Sequence, residues 1–330
     1  MTKTKRTSGL IFVLLLGLAF GQRLCLALEN VRVATASMTS PSVLYLLVAL
    51  KEGYFKEEGL QVEIINIRGE IAVKTAMAGE VGFFTHSGSA LAAAVRGIPV
   101  KILMVVDDKP PWDLIAQPQI KSFAQLKGGT IGVLSLEGSV AVVTRQMLRK
   151  NGIDPARDVT LMVMGSNEYR LMSLRGRAIQ ATLLDPANSF RAQKEGFTRL
   201  GSASEYVSHY LGGGIVVGDE KVRPSPERIA RFLRAALKGH YFFLNRREAT
   251  IAHMMDFLRT KDREAVAAIY SSSARVLTRD GTVEDRIVRN LIEDMRKTTG
   301  VRREIRAGEI FDFTFTRKAN EELKVSGWRP

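Results

Sequence analysis

The strand-like and helix-like segments of this chain alternate in the same order twice. Adding 99 to the residue number maps Ser40, a predicted helix cap, onto Ser139, and maps Gly53, a predicted helix end, onto Gly152. Strands that alternate with helices form parallel sheets with right-handed crossovers. The repeat therefore predicts an α/β protein with two similar lobes. The predicted strands begin near residues 31, 61, 81 and 100, and again near 130, 159, 179 and 197.

Two segments are predicted to connect the lobes. Asp107–Trp112 contains two prolines and is the expected first linker, and Leu211–Asp219, with its Gly212–Gly214 run, is the expected return. From Ser225 onward an apolar period of 3.6 residues predicts helices, which we expect to pack mainly on the first lobe. The predicted boundaries are 28–108 plus 219–330 for the first lobe and 109–218 for the second.

The amino terminus has the pattern of a signal peptide. Basic residues precede the uncharged, mostly apolar run Gly9–Phe20. That run is about half of the ~20 residues that span a bilayer. Residues 1–27 are therefore predicted to be a signal peptide, with cleavage after Gly21 or Ala27, which would place the mature chain in the periplasm or another extracytoplasmic space. An uncleaved anchor is the alternative.

The composition argues against several classes of function. The formal net charge is +14, but the basic residues are scattered among acidic neighbours, as in Arg286–Arg306, so no nucleic-acid partner is predicted. Cys25 is the only cysteine and the four histidines lack metal-ligand spacing, which argues against a structural zinc site. No phosphate-binding loop or nucleophile motif is present. We therefore predict no cofactor, no metal, no catalytic residue and no enzymatic activity.

Ligands of open parallel sheets lie beyond the carboxyl ends of the strands. Helix N-termini at that edge favour an anionic or strongly accepting group, and Arg68 and His86 would add to this preference. Glu137 and Asp185 oppose it, so a zwitterion or a polar heterocycle is the expected ligand. The predicted ligand-binding residues are Ser37, Thr39, Arg68, His86, Ser87, Gly88, Ser135, Glu137, Gly138, Ser139, Asp185 and Asn188.

Purely structural roles remain open for several of these residues. Ser139 and Asp185 could serve only as helix caps. Arg68 could be a solvated loop residue, and His86 could be a histidine held by structural hydrogen bonds. Trp112 could stack on a ligand or pack within the hinge.

Four sequence segments resemble the sequences of one known family. They are Leu50–Leu60 (Leu-Lys-Glu-Gly-Tyr-Phe-Lys-Glu-Glu-Gly-Leu), Ala78–Phe83, Leu126–Val133 and Leu183–Ala187. These phrases resemble the binding proteins of ABC importers for sulfonates, nitrate and thiamine precursors, together with pyrimidine-synthase-like proteins. The resemblance implies a two-lobed periplasmic-binding-protein-like fold of type II. It also implies family-like ligand contacts from Ser37, Thr39, His86, Ser87, Ser135, Gly138, Ser139 and Asp185.

The resemblance further implies a solute-binding function. Such a protein would capture a small polar ligand between its lobes and deliver it, as a monomer, to the membrane permease of an ABC importer. An enzyme on the same fold and a sensory binding module are the alternatives.

Overall fold

The protein is described by a computed structural model that covers residues 28–35, 38, 40–67, 69–136, 139–207, 210–218 and 224–330. The predicted signal peptide, residues 1–27, lies outside these ranges, and its prediction stays untested. Within them, none of the helices combines the length and the apolar character that a bilayer crossing demands.

In the described part of the chain, ten strands form two five-stranded sheets of the same topology. The sheet of lobe one has the order β2-β1-β3-β10-β4, and that of lobe two has the order β7-β6-β8-β5-β9. The strands are β1 (Glu29–Thr35), β2 (Leu60–Asn66), β3 (Phe83–Phe84), β4 (Lys101–Val105), β5 (Asp113–Ala116), β6 (Thr130–Val133), β7 (Thr160–Val163), β8 (Ala181–Leu184), β9 (Thr198–Ser202) and β10 (Gly214–Val217).

Thirteen α-helices are found in the described ranges. Most of them connect consecutive parallel strands or follow the last strand. They are α1 (Pro41–Lys51), α2 (Tyr54–Glu57), α3 (Gly69–Met77), α4 (Ser87–Val95), α5 (Ser139–Lys150), α6 (Asn167–Arg175), α7 (Pro186–Lys194), α8 (Pro226–Asn245), α9 (Arg247–Leu258), α10 (Arg263–Ala274), α11 (Asp285–Thr299), α12 (Ala307–Ile310) and α13 (Thr314–Val325). The two-lobed α/β fold predicted from the sequence is confirmed, whereas the residue boundaries of the lobes stay a prediction.

Each sheet contains one antiparallel strand, which is the first strand formed after the chain crosses over from the other lobe. β5 directly follows the first crossing and runs antiparallel to β8 and β9, and β10 follows the return and runs antiparallel to β3 and β4. The eight other strands were predicted from the repeat. β5 was missed because four residues between Pro-Pro-Trp and Gln-Pro are too short to show a period.

The core of lobe one is built around α1 and α8. Every residue of α1 from Pro41 to Ala49 is buried, because the helix lies between the sheet and α8. α1 begins at the cap Ser40 and α8 at the cap Ser225, each followed by a proline that suits the first helical position. These local signals set the start of both helices.

The carboxyl-terminal helices pack mainly on lobe one, as predicted, with one exception. α8, α11 and α13 pack on elements of lobe one, but α10 also packs against α7 of lobe two. Lys194 of α7 and Glu264 of α10 form an ion pair at 2.6 Å across this contact. The helical tail therefore touches both lobes.

The α1–α8 contact requires a glycine at position 239. A Cβ added there would overlap the carbonyl oxygen of Tyr45 and lie 2.6 Å from the Cβ of Ala49. Gly239→Ala is expected to lower the free energy of unfolding by about 1–3 kcal/mol, because the helices must separate. This loss outweighs the gain of about 1 kcal/mol that alanine brings to a helix. Urea unfolding measures the change.

Gly308→Ala is the matched control. Gly308 also lies in a helix, but an added Cβ would meet no atom within 4 Å. This variant is expected to be as stable as the wild type or more so. Equal stability of the two variants would contradict the packing argument.

Candidate ligand-binding site

The predicted site consists of the loops that follow the parallel strands. Seven of the twelve predicted residues lie in the described ranges, at the ends of β3, β6 and β8. The other five lie outside them, so their ligand contacts stay predictions: Ser37, Thr39, Arg68, Glu137 and Gly138.

His86 follows β3 and directly precedes α4. Its ring is half-buried, and neither ring nitrogen has a hydrogen-bond partner in the described part of the chain. Burial lowers the pKa of His86; the backbone of Ile67 partly offsets this shift without reaching hydrogen-bonding geometry. The imidazole is therefore neutral at pH 7 and offers one donor and one acceptor. The structural hydrogen bonds expected of a purely structural histidine are not found there.

Ser87, the first residue of α4, has a side chain that is 0% exposed. Its Oγ has no hydrogen-bond partner among the described residues, and a Cβ added to Gly214 would lie 2.9 Å from it. Gly88, the next residue, is half-buried. Buried polar groups are normally satisfied by protein, water or a ligand, so an unpartnered hydroxyl beside an unpartnered imidazole marks a site of interest.

At the end of β8, Asp185 caps α7. Its Oδ1 accepts a hydrogen bond from the backbone N–H of Asn188 at 2.8 Å. The side-chain amide of Asn188 donates to both carboxylate oxygens at 3.1 Å, and Asn188 itself is buried. The predicted capping role of Asp185 is confirmed, while ligand contact by its remaining lone pairs stays a prediction.

Sequence reasoning missed Arg170, the largest fully buried side chain in the described ranges. Its guanidinium donates to the carbonyl oxygens of Gly165 at 2.6 Å and Leu183 at 3.3 Å, and to Oδ1 of Asn167 at 2.6 Å. The same Oδ1 accepts from the backbone N–H of Asp185. Arg170 thus joins the ends of β7 and β8. Burial lowers its pKa, and the nearby carboxylates oppose that shift.

A weak sequence signal for Arg170 existed. The residue lies next to Leu171 and four residues before Leu174, on the face of α6 that packs against the sheet. A charged residue on an apolar helix face is a candidate for an internal hydrogen-bond network.

Ser135 and Ser139 lie on either side of the loop after β6. Both are exposed, and Ser139 is the first residue of α5. Arg145 donates to the carbonyl oxygen of Leu136 at 2.8 Å and so supports this loop from the helix. The ligand contacts predicted for the two serines remain untested.

A buried carboxylate joins the two chain crossings. Oδ1 of Asp107 accepts hydrogen bonds from the backbone N–H of Gly213 at 2.8 Å and from Oγ of Ser42 at 3.2 Å. The hydroxyls of Ser42 and Ser40 are 2.9 Å apart. Burial raises the pKa of Asp107 to about 6, although these hydrogen bonds oppose the shift. Asp107 was predicted only as the start of a linker.

The glycine run of the return segment is required by this close approach. A Cβ on Gly212 would overlap the Asp107 carboxylate, one on Gly213 would overlap Ser42, and one on Gly214 would overlap a backbone carbonyl of β4. A side chain at any of the three positions would therefore displace the return strand. The sequence predicted a linker at this run, but it did not predict the close approach that requires glycine there.

Trp112 packs in the hinge region. Its ring lies edge-on to Tyr210, with 5.6 Å between the ring centroids, and is partly buried against the core of lobe two. The hinge-packing interpretation is therefore supported.

A second groove lies away from the strand tips. A polar groove of about 650 Å³ lies at the amino ends of β1 and β2, lined by Arg32, Glu63 and Arg228 among others. It is at the end of lobe one opposite the strand tips. In the ranges covered by the structure, no group of histidine, cysteine, aspartate or glutamate side chains is arranged to hold a metal ion.

Comparison with known proteins assigns the family. The model of the family described as NMT1/THI5 like matches residues 40–250. The chain belongs to this family. The match begins just after the β1 tip and covers the other strand tips of both lobes, both crossings and the start of the helical tail.

Among curated proteins, the chain is 25% identical over 235 residues to the riboflavin-binding protein RibY of Chloroflexus aurantiacus. The alignment covers 64% of this chain and only 62% of RibY.

Solved structures with the same fold are mainly ligand-binding proteins. One is the sulfonate-binding protein SsuA of Methylobacillus flagellatus (TM-score 0.69, 16% identity, 92% of this chain and 98% of that chain). Another is the ligand-binding component of an ABC-type import system of Staphylococcus aureus with zinc bound (TM-score 0.69, 12% identity, 88% and 99%). They establish the periplasmic-binding-protein fold.

The capping role of Asp185 predicts a loss of stability in Asp185→Ala. Removing an N-cap costs about 0.5–2 kcal/mol, whereas asparagine caps as well as aspartate. The free energy of unfolding in urea should therefore fall in Asp185→Ala and be largely retained in Asp185→Asn. An alanine variant as stable as the wild type would contradict the capping role.

The buried Asp107 predicts a pH-dependent difference in stability. Its pKa is about 6 in the folded chain against 3.8 ordinarily, so the folded chain binds the proton more tightly than the unfolded chain. The carboxyl's contribution to stability is therefore lost as the pH rises from about 4 to about 6. Asp107→Asn removes this titration.

The Asp107→Asn variant should gain stability over the wild type, by on the order of 2–3 kcal/mol, across that pH range. Urea unfolding of both proteins between pH 4 and 7 measures the gain. A difference that is the same at pH 4 and pH 7 would show that Asp107 does not titrate in this range.

Proposed function

We propose that this protein is an extracytoplasmic solute-binding protein. It captures a small polar, zwitterionic or heterocyclic ligand between its two lobes and, as a monomer, delivers it to the membrane permease of an ABC importer. The observation that carries the proposal is the pair of unpartnered groups, His86 and Ser87, at a strand tip of lobe one beside the return crossing. The family and the fold of the structural relatives support it.

The mechanism is closure of the lobes around the ligand. A ligand shifts an equilibrium only by binding one state more tightly than the other. Contacts to both lobes are complete only when the lobes are closed, so the ligand favours closure. The crossings joined by Asp107 and Gly213 form the hinge for this motion.

The described part of the site favours a ligand without a strong net charge. His86 is neutral, the donors of Arg170 are used on the protein itself, and Asp185 carries a carboxylate. A ring N–H of a heterocycle can donate to the Asp185 carboxylate, and its N–H and carbonyl groups can exchange hydrogen bonds with the imidazole of His86. Among relatives, the name of RibY attributes riboflavin to that protein and that of SsuA attributes sulfonates, so the family supports a small solute of either kind.

We further propose that the protein binds its ligand without transforming it and acts in the periplasm or an equivalent space. Incubation of the purified protein with a bound solute, followed by mass spectrometry, should recover the solute unchanged. A converted product would support an enzyme on this fold instead. A neighbouring receptor gene in place of a permease gene would support the sensory alternative.

His86→Leu tests the binding role directly. Leucine retains an apolar side chain against Phe84 but removes both ring nitrogens. Because these nitrogens have no partner among the described residues, the free energy of unfolding should be little changed, while ligand affinity should fall about tenfold. A thermal-shift screen of riboflavin, taurine, nitrate, pyrimidines and amino acids identifies a binding solute, and titration calorimetry measures its affinity.

His253→Leu is the control for this experiment. His253 pairs with Glu52 and stacks on Phe242 in lobe one, away from the strand tips. Its substitution should leave ligand affinity unchanged. Equal affinity of the His86→Leu variant and the wild type would refute the assignment of the site.

A further inference from the structure

Exposed apolar side chains of the described chain gather at the strand tips. Twelve large apolar side chains are exposed, and three of them, Leu28, Ile98 and Val325, lie elsewhere. The remaining nine lie in the last two residues of a strand, in the loop after it, or in the first two turns of the next helix. Large exposed apolar patches on a soluble protein mark binding surfaces.

Both lobes contribute to this surface at equivalent places. In lobe one, Met38 follows β1 and Ile71 lies in the first turn of α3, after β2. In lobe two, Leu134 and Leu136 follow β6, and Tyr169 lies in the first turn of α6, after β7. Because β1 corresponds to β6 and β2 to β7 in the two sheet orders, each lobe presents an apolar wall at the same position.

The polar groups lie beside these walls, nearer the centre of each sheet. The next strand in each sheet order is β3 or β8, and His86 and Asp185 lie just after the ends of these strands. Each lobe therefore places exposed apolar side chains at two neighbouring strand tips and a polar group at the third, and in lobe two the exposed hydroxyls of Ser135 and Ser139 lie among the apolar side chains. A ligand held between the lobes meets two apolar walls on opposite sides and polar groups along one edge.

From this distribution we propose that the ligand is a planar ring system with two apolar faces and a polar edge, an inference that rests on the proposed function. A flat ring covers both walls at once, and tyrosine and methionine side chains pack well on ring faces. The polar edge exchanges hydrogen bonds with His86 and with the groups at the end of β8. A small ring-free anion would leave both walls exposed to water after closure.

The test compares solutes with and without rings in titration calorimetry. Lumichrome, a pterin and a purine supply fused rings, and ribitol, taurine and nitrate are ring-free. At least one fused-ring solute should bind, and it should bind at least tenfold more tightly than any ring-free solute. The inference is overturned if a ring-free solute binds and no fused-ring solute does. If no solute in either group binds, the ring inference is overturned, and the wider thermal-shift screen described above decides the proposed function separately.

Substitutions of exposed apolar residues in lobe two test whether these side chains contact the ring of the ligand. Tyr169 is 64% exposed and Leu136 is 47% exposed, so Tyr169→Ala and Leu136→Ala should fold normally. Each is expected to weaken binding of the ring solute by about five- to tenfold through the loss of buried apolar contact. Ile98→Ala, at a residue that is 41% exposed and lies between α4 and β4 at the other end of lobe one, is the matched control and should bind as the wild type does.

The results for these variants distinguish a failure of the ring inference from a failure of the proposed binding site. If His86→Leu weakens binding but Tyr169→Ala and Leu136→Ala do not, the site is correct and the apolar walls do not hold the ligand. If these two variants retain binding but no longer support solute uptake by cells, the walls contact a partner protein instead, and the inference is likewise overturned.

Discussion

The contact between Asp107 and the return segment is the constraint on which the two-lobed arrangement depends. One carboxylate oxygen accepts from the backbone of Gly213 and from Ser42, so the outgoing and returning chains are joined where they cross. β5 and β10 directly follow these crossings, so each sheet gains its antiparallel strand at the point where the chain enters that lobe. Glycine at positions 212 to 214 is the only residue type that permits this approach. The hinge is thus tightly packed, and the proposed closure of the lobes takes place around it.

The two lobes contribute to the site in different ways. In lobe two, Arg170, Asn167, Asp185 and Asn188 form an internal hydrogen-bond network that holds two strand ends in place before any ligand arrives. In lobe one, His86 and Ser87 lack partners in the described part of the chain. Lobe two is thus preorganised by its own hydrogen bonds, whereas lobe one has hydrogen-bonding groups left for a ligand. This difference suits a site in which lobe two supplies a fixed shape and lobe one forms its hydrogen bonds when the lobes close.

Helix α7 couples the site to the helical tail. Its first turn is capped at the site by Asp185, and along its length it packs against α10, which belongs to the tail. The ion pair of Lys194 and Glu264 across this contact is largely exposed, and such pairs contribute little to stability. The contact can therefore shift at small cost when lobe two moves. A tail that packs on both lobes also limits how far they can separate.

The sequence by itself determined the elements that depend on local chemistry. The predicted cap Ser139 is the first residue of α5, and the predicted helix end Gly152 lies two residues after its last, because these signals act over a few residues. Tertiary structure decided the burial of Asp107, the packing of Arg170 and the strand role of β5. Each of these depends on partners far away in the chain: Asp107 and Gly213 meet only because the fold returns the chain to its first crossing. No local pattern encodes such a meeting, so only the assembled lobes show which polar residues are used by the fold and which remain for a ligand.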